Sequence, residues 1–471
     1  MNPAELRKRQ DEDSYLSIVS APTRRRVFAL SLRERRIVVA GADFLIGALA
    51  CYIAFVALRH PHLHDLQLSD PFVLGGIWVI ALLIADGYAF QIPSSRSDSA
   101  VAVIKALPLA SLLTVLFFFL HPYVLTRSVM VSAVALGCLL LIAYRVTAAR
   151  WLLHESLATR VILVADHPPG PEVVEALRAA RFEYRVVETL VRSAMDSRFG
   201  GDLVRQVGNL LVRTDAEEVV VTSNELRLAP GLVQECLTNG VRLVSAGDLV
   251  ERYMRYVPID SVDVHWYLGL PDSDVWRRPY AAAKRLSDLL LASLIGIPFL
   301  LLLPLLAVLI KLDSPGAAIL SQRRVGEGGR EFDLYKLRTM ATDAEAYGAR
   351  YAATGDPRIT RAGRILRAIR LDEFPQLLNI VRGEMSFIGP RPERPEFITE
   401  LAARIPHFNT RLLVKPGLTG WAQINGGYAS TLPETVRKLE YDLYYIKNRS
   451  LRLDLQILFS TFGTVAARRG R

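Results

Sequence analysis

Four apolar stretches, at residues 37–58, 71–90, 101–120 and 129–148, each approach the roughly 20 residues that an α-helix needs to cross the hydrocarbon core of a bilayer. Runs of that length constrain the chain more than any other feature, because a soluble fold has too little interior to cover them. Four transmembrane helices are expected. Arg7, Lys8, Arg9, Arg24, Arg25, Arg26, Arg33, Arg35 and Arg36 precede the first run, whereas residues 61–70 contain no Lys or Arg. Positive charge stays inside, so the amino terminus is expected in the cytoplasm. An even number of spans returns the chain to that side by Arg145 and Arg150. Residues 1–36 lack the short apolar core of a cleaved signal peptide and read as a basic cytoplasmic tail.

A fifth apolar run, 286–310, carries basic residues on both flanks: Lys284 and Arg285 before it, Lys311, Arg323, Arg324 and Arg330 after it. If positive charge marks the inside, both ends lie inside. Pro298 and Pro304 supply helix breaks that could turn the segment back within the leaflet. The expectation is a re-entrant helix, set against a fifth span with an external carboxyl terminus.

Between these membrane segments, residues 151–278 alternate strand-like text near 161–164, 184–191, 218–221 and 241–244 with helical text near 171–180, 203–212 and 232–238. That alternation predicts an open parallel α/β sheet, Rossmann-like in plan. The turn after the first strand, Ala165-Asp166-His167-Pro168-Pro169-Gly170, lacks the GxGxxG phosphate cradle. A structural or regulatory role is therefore assigned to this domain, and chemistry is sought in residues 279–471. Cys51, Cys138 and Cys236 have no metal-ligand spacing, and neither a disulfide nor zinc is expected.

The net charge of +10 suits a partner that carries phosphate. Residues 322–340 read as a hairpin turning at Gly326, Gly328 and Gly329. Lys336 and Arg338, two apart on a strand, would share a face; they could meet a diphosphate or form an ordinary solvated edge. Arg358, Arg361, Arg364, Arg367 and Arg370 recur every third residue among Ile359, Ile365, Leu366 and Ile369, which predicts an amphipathic helix with a cationic side. No nucleic-acid recognition motif accompanies it, so anionic inner-leaflet lipid or a phosphorylated lipid is the fitting partner. Asp372 and Glu373 follow at once. Two hard carboxylates can hold Mg²⁺ against a substrate's phosphates, and an aspartate can attack phosphorus to form an acyl phosphate; alone, such a pair more often marks a helix start. Gly389-Pro390-Arg391-Pro392 sets Arg391 in a rigid turn, and residues 415–426 offer turns, amides and the indole of Trp421 beside Gln423 to a nucleotide.

At these residues the chain resembles the bacterial sugar transferase family, the polyprenyl phosphate hexose-1-phosphate transferases, in its long form with four membrane helices and a middle α/β domain. The resemblance is carried by Lys284-Arg285 through Asp288, Tyr335-Lys336-Leu337-Arg338-Thr339-Met340, Leu371-Asp372-Glu373-Phe374-Pro375-Gln376, Met385-Ser386-Phe387-Ile388-Gly389-Pro390-Arg391-Pro392 and residues 415–426. It implies a small, mainly helical catalytic domain with a re-entrant helix, facing the cytoplasm from a bacterial inner membrane. It implies a nucleotide sugar as donor, UDP-glucose by default, with UDP-galactose and N-acetylated sugars behind it, and undecaprenyl phosphate as acceptor. Asp372 would attack the sugar phosphate and Glu373, beside Asp372, would hold Mg²⁺. Arg367 and Arg391 would bind phosphates, and Lys336 with Arg338 would stabilise charge at the diphosphate. The resemblance is compatible with a homodimer and implies downstream glycosyltransferases as partners in exopolysaccharide, capsule or O-antigen assembly. Leu300 and Leu301 stand where the family has a Ser-Pro pair, and Arg370 where it more often has Ser or Thr. Two rival readings are a non-catalytic membrane scaffold of polysaccharide assembly and a glycosyltransferase that releases a nucleoside diphosphate.

Three features are set aside. His60, His62 and His64 alternate in a short external loop and are expected to be solvated rather than to bind metal. Asp442, among aromatic residues, is expected to serve packing. Residues 451–465 are expected to form a helix on the inner membrane surface.

Overall fold

The computed structural model describes residues 32–58, 69–88, 96–120, 127–151, 158–181, 183–192, 203–227, 229–271, 277–341, 356–426 and 431–466. His60, His62, His64 and the basic residues up to Arg26 lie outside them. The chain divides into two units, Met1–Arg255 and Tyr256–Arg471.

The first unit opens with helices α1 (Leu32–Ala57), α2 (Ser69–Ile84), α3 (Arg96–Leu120) and α4 (Arg127–Trp151), each packed on its neighbour, with α1 also against α4. α1, α3 and α4 are long and apolar enough to cross a membrane, whereas α2 has only 16 residues. Lipid offers no hydrophobic drive between helices, so their close approach depends on small residues. A Cβ on Gly75 would lie 2.4 Å from the carbonyl oxygen of Phe44, and one on Gly137 would lie 2.7 Å from Trp78 Nε1. Leu45, Leu112, Phe119, Val131 and Leu139 point outward. Inside, Arg145 donates to Asp43 through Nη2 at 2.6 Å and Nε at 3.2 Å, and through Nη1 to Gly87 O at 2.7 Å. Tyr88 completes the cluster by donating to Asp43 at 2.8 Å.

The same unit then forms the sheet that the alternation predicts: β1 (Thr159–Ala165), β2 (Tyr184–Val191), β3 (Glu218–Val221) and β4 (Arg242–Ser245), all parallel, in the order β2-β1-β3-β4. Helices α5 (Pro171–Ala179), α6 (Leu203–Thr214), α7 (Pro230–Thr238) and α8 (Ala246–Met254) cover it. Because side chains alternate along a strand, Val161 and Leu163 meet Leu177 and Leu249 on one face, while Ile162 and Val164 meet Leu211 and Leu232 on the other. Both faces being covered explains the unbroken apolar text of β1. The domain boundary expected at 278 falls elsewhere in the structure: Val257, Val262, Trp266 and Leu270 already belong to the core of the second unit.

The second unit is built on α9 (Arg277–Asp313), 37 residues and therefore about 55 Å long. Pro298 and Pro304 lie inside it, and the helix continues through both rather than ending at either. A hairpin of β5 (Ile319–Val325) and β6 (Glu331–Leu337) follows, then α10 (Arg361–Ala368), α11 (Leu377–Arg382), β7 (Ser386–Ile388), α12 (Pro395–Arg404), β8 (Gly417–Thr419), α13 (Leu432–Asn448) and α14 (Leu451–Ala466). Polar residues fasten both ends of α9 to this unit. Near its start, Lys284 pairs with Asp454 at 3.1 Å, Arg285 donates to the Ile380 and Val381 carbonyls at 2.6 and 2.8 Å, and Asp288 accepts from Ser386 Oγ and Phe387 N, each at 3.0 Å. At its end, Asp313 accepts from Ala362 N at 2.8 Å.

Removing one member of a buried ion pair strands the other, at a cost of about 3–5 kcal/mol. Arg145→Ala should therefore lower thermal stability in detergent more than the double change Asp43→Ala/Arg145→Ala does, and the comparison of the two melting curves checks it.

Candidate active site

The carboxylate dyad is placed by a short chain of local decisions. Thr360 starts α10 by accepting from Gly363 N at 3.0 Å. A Cβ on Gly363 would lie 2.1 Å from the Thr339 carbonyl oxygen, so only glycine lets the helix lie against the end of the hairpin. Arg367 is then held beside it, its Nε donating to Thr339 Oγ1 at 2.8 Å. Arg370 ends the helix in the left-handed region at φ 58° and ψ 17°, a conformation costing an L-residue roughly 1–2 kcal/mol. That turn feeds directly into the 3₁₀ segment Leu371–Gln376, which contains Asp372 and Glu373. Phe374 anchors the segment on Phe299 of α9, ring centroids 5.4 Å apart, and Leu371 joins Leu306, Ile310, Leu337 and Leu366 in the same apolar cluster. The dyad thus rests against the middle of the apolar helix.

The two carboxylates are driven apart. Burial raises the carboxyl of Glu373, but Arg391 outweighs it, with help from Arg370 and Lys336, and holds it below its ordinary value. Arg391 Nη2 lies 2.6 Å from Glu373 Oε1 and Arg370 Nη1 lies 3.6 Å from it. Asp372 is pushed up from 3.8 to about 6, first by burial and then by the neighbouring Glu373 charge, against the opposing pull of Arg367, Arg370 and Arg391. Its Oδ1 is buried without a hydrogen-bond partner. Such a carboxylate is ionised at neutral pH yet poorly solvated, which is the condition of an activated nucleophile. The same donor set fits Mg²⁺: a buried oxygen lacking a partner lies beside a second carboxylate, and this ion takes one or two carboxylates when substrate phosphates supply further oxygens.

The other expected site residues part company. Lys336 donates to Gln322 Oε1 at 3.3 Å and contributes to the field at Glu373. Arg338 is 2% exposed, and its guanidinium donates to the Ser314 and Pro315 carbonyls at 2.5 and 2.8 Å, where α9 ends. The shared face expected for the two is not formed, because Arg338 lies past the last residue of β6 and closes the helix terminus instead. Trp421 is buried and stacks on Tyr444 at 5.6 Å, within the core, so its indole packs rather than lying open. Gln423 donates to Leu418 O at 2.9 Å. The arginine row is not one helical face either: Arg358 precedes α10 and pairs with Asp356 at 2.5 Å, and Arg370 follows it. Asp442, set aside as packing, forms a buried ion pair with Arg411 at 2.9 Å. Nothing in the sequence joins those two, since 31 positions separate them.

A dyad ringed by arginines and seated on a long apolar helix defines a protein that handles phosphate at a membrane. Residues 279–468 match the bacterial sugar transferase family. The chain is 48% identical over 187 residues to the UDP-N-acetylgalactosamine-undecaprenyl-phosphate N-acetylgalactosaminephosphotransferase of Aeromonas hydrophila, covering 40% of this chain and 44% of that one. It is 44% identical over 180 residues to the UDP-glucose:undecaprenyl-phosphate glucose-1-phosphate transferase of Caulobacter vibrioides, covering 38% and 67%. The exopolysaccharide production protein PSS of Rhizobium leguminosarum bv. phaseoli is 40% identical over 196 residues, covering 40% and 93%. The chain belongs to the bacterial sugar transferase family, and it spans less than half the length of the Aeromonas relative.

Because the folded state raises the Asp372 carboxyl, the protein is favoured below pH 3.8 and loses that stability as pH rises through about 6. Asp372→Asn should accordingly stabilise the protein at pH 7.5, by on the order of 2–3 kcal/mol, with the gain shrinking toward pH 4. Melting temperatures of both proteins across that range check the sign.

Proposed function

We propose that the chain transfers a hexose 1-phosphate from a nucleotide sugar, UDP-glucose by default, to undecaprenyl phosphate, releasing a nucleoside monophosphate. The observation that carries the reading is the environment of Asp372: half-buried with Oδ1 closed off from solvent, raised toward neutral pH, and faced by Arg367, Arg370 and Arg391. A carboxylate oxygen of Asp372 attacks the sugar-bearing phosphorus, and the bond from that phosphorus to the bridging oxygen breaks, its electron pair leaving on the nucleoside monophosphate. A phosphate oxygen of the polyprenyl phosphate then attacks the same phosphorus. Asp372 leaves as a carboxylate, and the product is a polyprenyl-diphosphate-sugar. Arg367, Arg391 and Lys336 bind and neutralise the phosphate oxygens. Asp372 and Glu373 would hold Mg²⁺, which supplies further charge neutralisation at the diphosphate.

The α9 anchors support a re-entrant helix. Both ends are fastened to one unit, near residues 380–388 and 454 at the start and near 362 at the end, and that unit cannot lie on both sides of a bilayer. Ile365, Ile369, Leu378 and Val381 stay exposed near the arginines of α10, which suits anionic headgroups of the inner leaflet. The cytoplasmic face of a bacterial inner membrane supplies both the nucleotide sugar and the lipid.

In detergent with Mg²⁺, undecaprenyl phosphate and a panel of UDP-glucose, UDP-galactose and UDP-N-acetylgalactosamine, the protein should release UMP with one donor, and Asp372→Asn should abolish release. Release of UDP, or full activity of the variant, overturns the reading. Asp372 must be ionised to attack, so kcat/KM should fall on acidification, and Mg²⁺ held at the dyad should move that limb below the pH of about 6 at which the metal-free carboxyl titrates. Single cysteines replacing Arg278 and Leu312 on a cysteine-free background should both react with an impermeant thiol reagent from the cytoplasmic side; labelling from opposite sides would show a crossing helix.

A further inference from the structure

The turn that presents Arg391 contains Pro390 and Pro392, which have no N–H to give. It is therefore held through its carbonyls, and each one from Pro390 to Glu393 accepts a hydrogen bond. Pro390 O accepts from Gly417 N at 2.9 Å and Glu393 O from Val325 N at 3.0 Å. The two between them accept from guanidinium groups: Arg391 O from Arg411 Nη2 and Pro392 O from Arg324 Nη1, both at 3.0 Å. Arg411 is itself fixed, its side chain 4% exposed and its Nη2 also 2.9 Å from Asp442 Oδ2. Arg324 is fixed from the hairpin, where Gln322 Oε1 accepts from Arg324 Nη2 at 2.7 Å and from Lys336 Nζ at 3.3 Å. The side chain of Glu393 lies among the same cations, 3.0 Å from Lys438 Nζ and 3.8 Å from Arg411 Nη1.

We infer that Arg411, aligned by Asp442, and Arg324 are positioning residues for Arg391: through the Arg391 and Pro392 carbonyls they hold its guanidinium on Glu373. The inference rests on the transfer reaction proposed above. Neither residue bonds the dyad; Arg411 grips the backbone of Arg391, which does, and Arg324 grips the next carbonyl, that of Pro392. A buried Arg–Asp pair is seldom more stabilising than an apolar pair of like volume, so its worth here lies in geometry. Arg411 Nη2 serves both Arg391 O and Asp442 while Nη1 faces Glu393, so lysine at 411 would keep the charge and lose the second nitrogen and the rigid plane that fixes all three directions.

UMP release by the full-length protein in detergent tests the inference, with melting curves run on every variant. Arg411→Lys and Arg324→Gln should each lower kcat about 10- to 100-fold. Adding Arg411→Lys to Arg391→Ala should cost less than about twofold more, because a residue that acts through Arg391 has nothing left to position. Arg324 is 19% exposed and reaches the turn from the hairpin, so its variant carries the test should Arg411→Lys fail to fold. Wild-type release of UMP with full activity in the folded variants, or with the same loss from Arg411→Lys on the Arg391→Ala background as on wild type, overturns the inference alone. A wild type that releases no UMP with any donor overturns the transfer reading and this inference with it.

Discussion

The ion pair between Glu373 and Arg391, 2.6 Å long, is the interaction on which the site depends. It joins a 3₁₀ turn to a proline turn whose carbonyls are held from other segments. Since Arg391 keeps Glu373 charged, the neighbouring Asp372 is buried beside a fixed negative charge and its carboxyl rises. The pair therefore sets both the shape of the site and the division of labour between two adjacent carboxylates. Asp372 Oδ1 is left without a hydrogen-bond partner in the folded protein, at the position proposed as the nucleophile.

A second constraint comes from α9. Its apolar surface calls for lipid, yet Lys284, Arg285 and Asp288 near its start and Asp313 at its end are engaged by the second unit. Asp288 meets the backbone and side chain that open β7, the strand leading into the Arg391 turn, while Phe299 meets Phe374 beside the dyad. The helix that carries membrane affinity is thus also the scaffold against which both halves of the site are packed. Arg338 belongs to this framework: closing the end of α9 ties the helix to the strand that carries Lys336.

Much of the fold was legible because it rests on periodicity. The alternation of strand-like and helical text located β1 to β4 and their helices, the glycine cluster located the hairpin, and apolar length located the long apolar helices. The errors came where local text is overruled by packing. A proline that can end a helix is carried inside α9, whose flanking turns are supported by neighbouring side chains. Arg358 and Arg370 fit a helical row by spacing, but Asp356 captures one and the left-handed turn removes the other. Trp421 has the composition of a nucleotide platform and the surroundings of a core residue.

For the site, Asp372, Glu373 and Arg391 could be read directly, since each lies in a short motif whose residue types carry their own chemistry. Which cation serves which carboxylate could not, and neither could the part played by Arg324, Arg411 and Asp442. A side chain's reach depends on how segments tens of residues apart are brought together, and a guanidinium reads the same in sequence whether it faces phosphate, a carboxylate or a backbone carbonyl. Sequence by itself determined the element types, the long apolar helices and the candidate dyad, because those follow from local propensity and composition. Only the tertiary structure decided which charges are paired, which are buried and which carbonyls need donors, because Coulomb and hydrogen-bond energies depend on distance in space rather than along the chain.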